Sequence, residues 1–179
     1  MNGFRTIVVL LALTLATGFA AAAEQASFSE AVSGNFVDTA IDTNDDGVAA
    51  ASFMGVATGF RGGASYQGLT EIEFAPTGLC DPGEVEGIIA AYSIVRRFSN
   101  GNLMFSRLVE GSFCLDPATG KADVTVSAEI IGGTGRFEGA TGSYVINYEA
   151  TALLPDPTGG IAHGAFAGTV TGTISESAQ

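Results

Sequence analysis

Three places in this chain of 179 residues hold residue types able to do chemistry. The first is "DTNDDGVAAASF", in which Asp42, Asn44 and Asp46 stand at positions 1, 3 and 5 of a calcium loop, with Gly47 at the sharp turn. Three oxygen side chains at that spacing suit a hard cation. The bidentate glutamate of position 12 is replaced by Phe53, however, and no helix flanks the loop. An acidic Asx-type turn leading into a strand accounts for the same letters. Calcium is the one cofactor the sequence suggests.

The second place is the run of basic residues Arg96, Arg97 and Arg107. Adjacent residues on a strand face opposite sides, so either Arg96 or Arg97 points inward if this segment lines a core. An inward arginine beside Glu71, Glu73 or Glu110 would polarise a ligand oxygen; outward ones form exposed ion pairs of little worth. His163, the single histidine, has no Ser-His-Asp context, and no G-x-S-x-G nucleophile elbow occurs. It reads as structural or exposed. No catalytic or ligand-binding residue is assigned.

The third place is "EIIGGTGRFEGATGSY", Glu129 to Tyr144, with five glycines between Gly132 and Gly142. A phosphate-binding loop would need a lysine followed by Ser or Thr, which this stretch lacks. A dinucleotide fingerprint would need G-x-G-x-x-G opening a helix, yet the spacing here is longer and "SYVINYEATALL" follows. The flanking segments, with Val124, Val126, Ala128 and Ile130 alternating, are strands. The glycines then mark a place where two strands turn and pack closely, with Phe137 as the apolar anchor.

The elements that must position these residues are strands throughout. Runs rich in Val, Ile, Thr, Phe and Tyr alternate with Gly, Asp, Asn and Pro clusters. The predicted strands are Gly34 to Asp38, Ala51 to Phe60, Ser65 to Phe74, Gly87 to Phe98, Leu103 to Leu115, Lys121 to Ile131, Gly142 to Leu154 and Gly164 to Ser175. Residues 24 to 33 read as a loose or helical lead-in. "SNGN" at Ser99 to Asn102 predicts a two-residue type I′ hairpin; "DPATGK" and "PDPTGG" mark two more reversals. Eight such strands in up-and-down order, with glycines inside them, favour a closed antiparallel β-barrel, which leaves no exposed edge. A β-sandwich is the alternative.

The first residues, "MNGFRTIVVLLALTLATGFAAAAEQ", show a basic start, an apolar run and small residues at Ala21 and Ala23. This is the pattern of a cleaved signal peptide over residues 1–23, with one domain over 24–179. The apolar run falls short of the ~20 residues that span a bilayer. Without that segment six basic and nineteen acidic residues remain, a net charge of −13. So acidic a surface argues against nucleic acid and anionic membranes as partners. Cys80 and Cys114, the only cysteines, read as one disulfide of an exported, secreted or periplasmic protein. Metal ligation would need more Cys or His than the chain holds, and a reactive thiol is the remaining alternative.

The glycine stretch resembles known proteins. Gly132, Gly133, Gly135, Phe137, Ala140 and Gly142 fit both the motif of plant dirigent proteins and that of allene oxide cyclases. Thr134 and Arg136 lean to the first, Glu138 and Gly139 to the second. "GVATGFRG" extends the similarity more loosely. The resemblance implies a calycin-like, eight-stranded barrel whose apolar cavity holds a small hydrophobic molecule, and it points to association of copies into a homo-oligomer. In the cyclases such a cavity shapes the cyclisation of an oxylipin epoxide; in dirigent proteins it orients phenoxy radicals. Their functional residues lie outside the matched stretch, so none is carried over, and Arg136 and Glu138 read as surface residues of a turn. Three functions follow: a pocket protein for a hydrophobic compound, an isomerase or cyclase acting by confinement, or a structural module with a filled barrel.

Overall fold

The computed structural model of the protein describes residues 25–39, 41, 42, 45, 47–155 and 161–176. The expected signal peptide, together with Asn44 and Asp46 of the expected calcium loop, lies outside these residues. Eight antiparallel strands follow in chain order: β1 Gln25–Asp38, β2 Ala51–Thr58, β3 Ala64–Phe74, β4 Val85–Phe98, β5 Leu103–Asp116, β6 Lys121–Gly133, β7 Thr141–Pro155 and β8 Ile161–Ser175. Each pairs with the next, and β8 pairs with β1, closing the barrel. The all-β, up-and-down barrel expected from the sequence is the fold observed.

Alternation decides what fills the barrel. In β6, Ala122, Val124, Val126, Ala128 and Ile130 point inward while the residues between them face outward. The same period brings Tyr92, Ile94, Arg96 and Phe98 of β4 inside. The expected lead-in, residues 24–33, is from Gln25 onward instead part of β1, with Phe28, Glu30 and Val32 buried on alternate positions. A glutamate in an inward slot had hidden the period of two.

One end of the barrel is plugged. β2 stops at Thr58, two residues before the expected end, and a 3-10 turn at Phe60–Gly62 tips Phe60 onto Phe28, ring centroids 4.9 Å apart. From the other side comes the glycine stretch, whose 3-10 turn at Gly135–Phe137 drops Phe137 into the plug, fully buried and 4.6 Å from Phe98. Gly135 and Gly139 take φ of +58° and +69°, backbone states that residues with a Cβ seldom adopt. These glycines serve a β-turn, as the sequence indicates. Arg136 meets Glu176 at 3.6 Å near the surface and Glu138 is exposed.

The reversal at Ser99 to Asn102 is present but wider than a two-residue type I′ turn. Asn100 does not adopt the positive φ that type I′ requires; only Gly101 does, at +84°, and its N–H closes on the Phe98 carbonyl at 2.9 Å. At the opposite, unplugged end Cys80 and Cys114 form the expected disulfide, Cα atoms 5.4 Å apart, tying the loop after β3 to β5. Glu86 steadies the same loop by accepting the backbone N–H groups of Thr77 and of Gly78, the latter at 2.6 Å. Those two bonds, Gly78 first, hold its carboxyl below the ordinary carboxylate range.

Candidate functional site

The plug does not extend through the barrel. Between it and the open end lies a cavity of about 500 Å³, walled mainly by Val32, Phe53, Ile89, Phe113, Ile146 and Phe166, with Phe36, Ile72 and Phe74 nearer the mouth. That size and lining match an ordinary small-molecule pocket. Phe74, 63% exposed, packs edge-on against Phe113 at 5.5 Å, so the apolar surface continues from the wall to the rim. A larger depression, about 900 Å³, lies along the outer wall between Met54, Val56, Val95 and Arg97. It is shallow and collects no buried charged group, so the enclosed cavity is the better site.

The cavity floor is polar. Arg96 projects into the barrel, 1% exposed, and pairs with Glu30, whose side chain is 0% exposed. The sequence offered an inward arginine, with Glu71, Glu73 or Glu110 beside it, only as the alternative to an exposed ion pair; the structure has the inward arginine, with a different partner. Glu73 and Glu110 are exposed, and Glu71 is buried in register with Ala91. Arg97 faces outward and Arg107 pairs with Glu129 on the surface. The Arg96 guanidinium also lies over the Tyr144 ring, 5.0 Å from its centroid, a cation–π contact. Burial opposes the Arg96 charge, but Tyr144, Glu30 and Tyr92 outweigh it and hold its pKa up.

Of the four tyrosines of the chain, Tyr66, Tyr92 and Tyr144 stand near this pair. Tyr66, Tyr92 and Tyr148 line the cavity and Tyr144 lies beneath it. Burial raises each phenol pKa; for Tyr66, Tyr92 and Tyr144 the nearby Arg96 pulls it partly back, whereas for Tyr148 burial acts alone. Tyr66 donates to the Ser33 carbonyl at 3.2 Å. The Tyr144 hydroxyl sits close to Ser106, Tyr92 and Arg96 but makes no hydrogen bond of good geometry. Space for Tyr144 comes from β8, where a Cβ on Gly172 would stand 2.5 Å from the Tyr144 Cβ.

Several polar atoms here lack partners: Arg96 Nε, Glu30 Oε1 and Thr70 Oγ1, all buried. Buried donors and acceptors are nearly always satisfied, and exceptions gather at sites that receive water or a ligand. Arg96 and Thr70 both line the cavity; Glu30 stands behind Arg96, out of reach of a molecule inside.

The other candidates separate from this site. Asp42 caps its own turn, accepting the N–H of Asp45 at 2.7 Å and of Gly47 at 2.8 Å, as an Asx-type turn does. Among the described residues one Cys-Glu-Cys group, Cys80, Glu84 and Cys114, has metal-like proximity, but its two sulfurs are joined to each other. His163 is half-buried on β8, opposite Val37. The tyrosines and Glu30 were missed from the sequence. The signal was there for the tyrosines, each at an inward position of an alternating strand; Glu30 had none short of its partner.

No family model matches the chain, and no curated protein is similar to it. Among the described residues no helix is long and apolar enough to cross a membrane.

Proposed function

We propose that this is an exported β-barrel protein that binds a small hydrophobic molecule in the cavity between Phe53, Phe113 and Phe166. The observation that carries the reading is the hollow itself. A barrel of this size can be filled by side chains, and its plugged half is, yet about 500 Å³ stays open beside a buried ion pair with one unpartnered donor and one unpartnered acceptor. The resemblance of Gly132 to Gly142 to allene oxide cyclases and dirigent proteins supports the same reading. Export is supported by the leader-like first residues and by the disulfide.

A second reading, an isomerase or cyclase working by confinement, is favoured by one feature: Arg96 faces the cavity and offers a donor to a developing negative charge on a ligand oxygen. A purely structural module would have no use for the hollow.

The test is binding of the neutral fluorophore N-phenyl-1-naphthylamine to the protein, compared with Ala150→Phe, which fills the cavity from its wall. Saturable fluorescence enhancement in the wild type that is lost in the variant is expected, and native mass spectrometry should show one probe per chain. Absence of saturable binding, or binding unchanged by Ala150→Phe, would refute the pocket.

A further inference from the structure

The floor of the cavity decides which hydrophobic molecules fit. Arg96 is the cavity's one cation among the described residues, and Glu30 already neutralises it from behind. The floor therefore holds an unpartnered hydrogen-bond donor, Arg96 Nε, with the Thr70 hydroxyl unpartnered in the wall above it, but no net positive charge. A carboxylate would have to shed its water to enter, and it would add a second anion to a site holding one cation. Desolvation of an ion is repaid only by an opposite charge that is not already committed. The acidic chain, net −12, and Asp38 at the mouth add a long-range bias against anions. A neutral carbonyl or ether oxygen satisfies the donors at none of these costs.

We propose that the cavity selects neutral apolar molecules carrying a hydrogen-bond-accepting oxygen at their buried end and rejects the matching carboxylates, with Glu30 as the residue that sets this choice. The inference rests on the pocket reading above. Glu30 acts through Arg96 as a positioning and specificity residue, since it does not touch the cavity. Replacing it by glutamine keeps a hydrogen-bonding side chain beside Arg96 but leaves the guanidinium charge uncompensated, so the same floor should then welcome an anion.

Displacement of N-phenyl-1-naphthylamine by dodecan-2-one, methyl dodecanoate and dodecanoate at neutral pH tests this. In the wild type the ketone and ester should compete at least about tenfold better than the acid. In Glu30→Gln the acid should gain about tenfold or more while the ketone changes little. Dodecanoate binding as tightly as the ketone in the wild type overturns the proposal, as does a Glu30→Gln protein that binds the fluorophore but gains nothing for the acid. The wild-type comparison decides by itself if Glu30→Gln does not fold. Failure of the fluorophore to bind at all removes the pocket reading instead, and this inference with it.

Discussion

The Glu30–Arg96 pair offers the sharpest test of how the barrel interior is built. Both side chains are buried, at 0% and 1% exposure, so water cannot take over when one partner is lost. Glu30→Leu strands a guanidinium and Arg96→Met strands a carboxylate, and either single loss should cost about 3–5 kcal/mol. A domain of this size shifts by ~2–4 °C per kcal/mol, so each single variant should melt roughly 6–20 °C lower. The pair itself is not ideal, because Glu30 Oε1 and Arg96 Nε have no partners. Its attraction therefore repays little beyond its own desolvation, and the double variant Glu30→Leu/Arg96→Met should return to within about 1 kcal/mol of the wild type or exceed it. The cation–π contact with Tyr144 is lost only where Arg96 is replaced, which makes Arg96→Met the costlier single change by about 1 kcal/mol. Urea unfolding followed by far-ultraviolet circular dichroism closes the cycle. Single variants within 1 kcal/mol of the wild type, or a double variant whose loss equals the sum of the singles, would refute the claim that these charges are buried and coupled.

Other outcomes follow from the same interior. The four phenols are raised by burial, so they stay protonated in the folded barrel after those of the unfolded chain begin to ionise near pH 10. Stability is thus whole below that pH and falls above it, by ~1.4 kcal/mol per phenol per pH unit. Ultraviolet titration should show the tyrosines ionising together as the protein unfolds; stepwise ionisation with the circular dichroism intact would contradict it. Reducing Cys80–Cys114, which are 34 residues apart, should cost about 3–4 kcal/mol in urea unfolding with and without reductant, and an unchanged midpoint would count against the bridge. Phe137→Ala should cost about 3–5 kcal/mol yet leave fluorophore affinity within about threefold, because the plug lies at the other end from the mouth. A large loss of affinity without unfolding would show that plug and cavity are not separate.

Much of the architecture was readable locally. Strands are written in alternation over a few residues, and reversals in short clusters such as "DPATGK", where Asp116 accepts from Ala118 and Thr119 at 2.8 and 2.7 Å. The turn role of Gly132 to Gly142 was legible because positive φ and missing Cβ atoms are properties of single residues. The first half of β1 was not, because Glu30 occupies an inward position whose justification lies on β4, 66 residues later. The site was partly legible: parity allowed Arg96 or Arg97 to point inward, but parity cannot say which, nor name the partner.

The sequence by itself thus determined most of the strands, the places where they turn, the acidic exterior and the pairing of two cysteines, because each rests on residue type or near neighbours. Only the tertiary structure decided that β8 closes onto β1, that one half is plugged by Phe60 and Phe137, and that the other half stays hollow. The reason is geometric. The barrel interior is shared by eight strands, and what meets inside depends on the register of each with its neighbours. Arg96 and Glu30 were both visible as letters; their meeting beneath a cavity was set by the closed sheet.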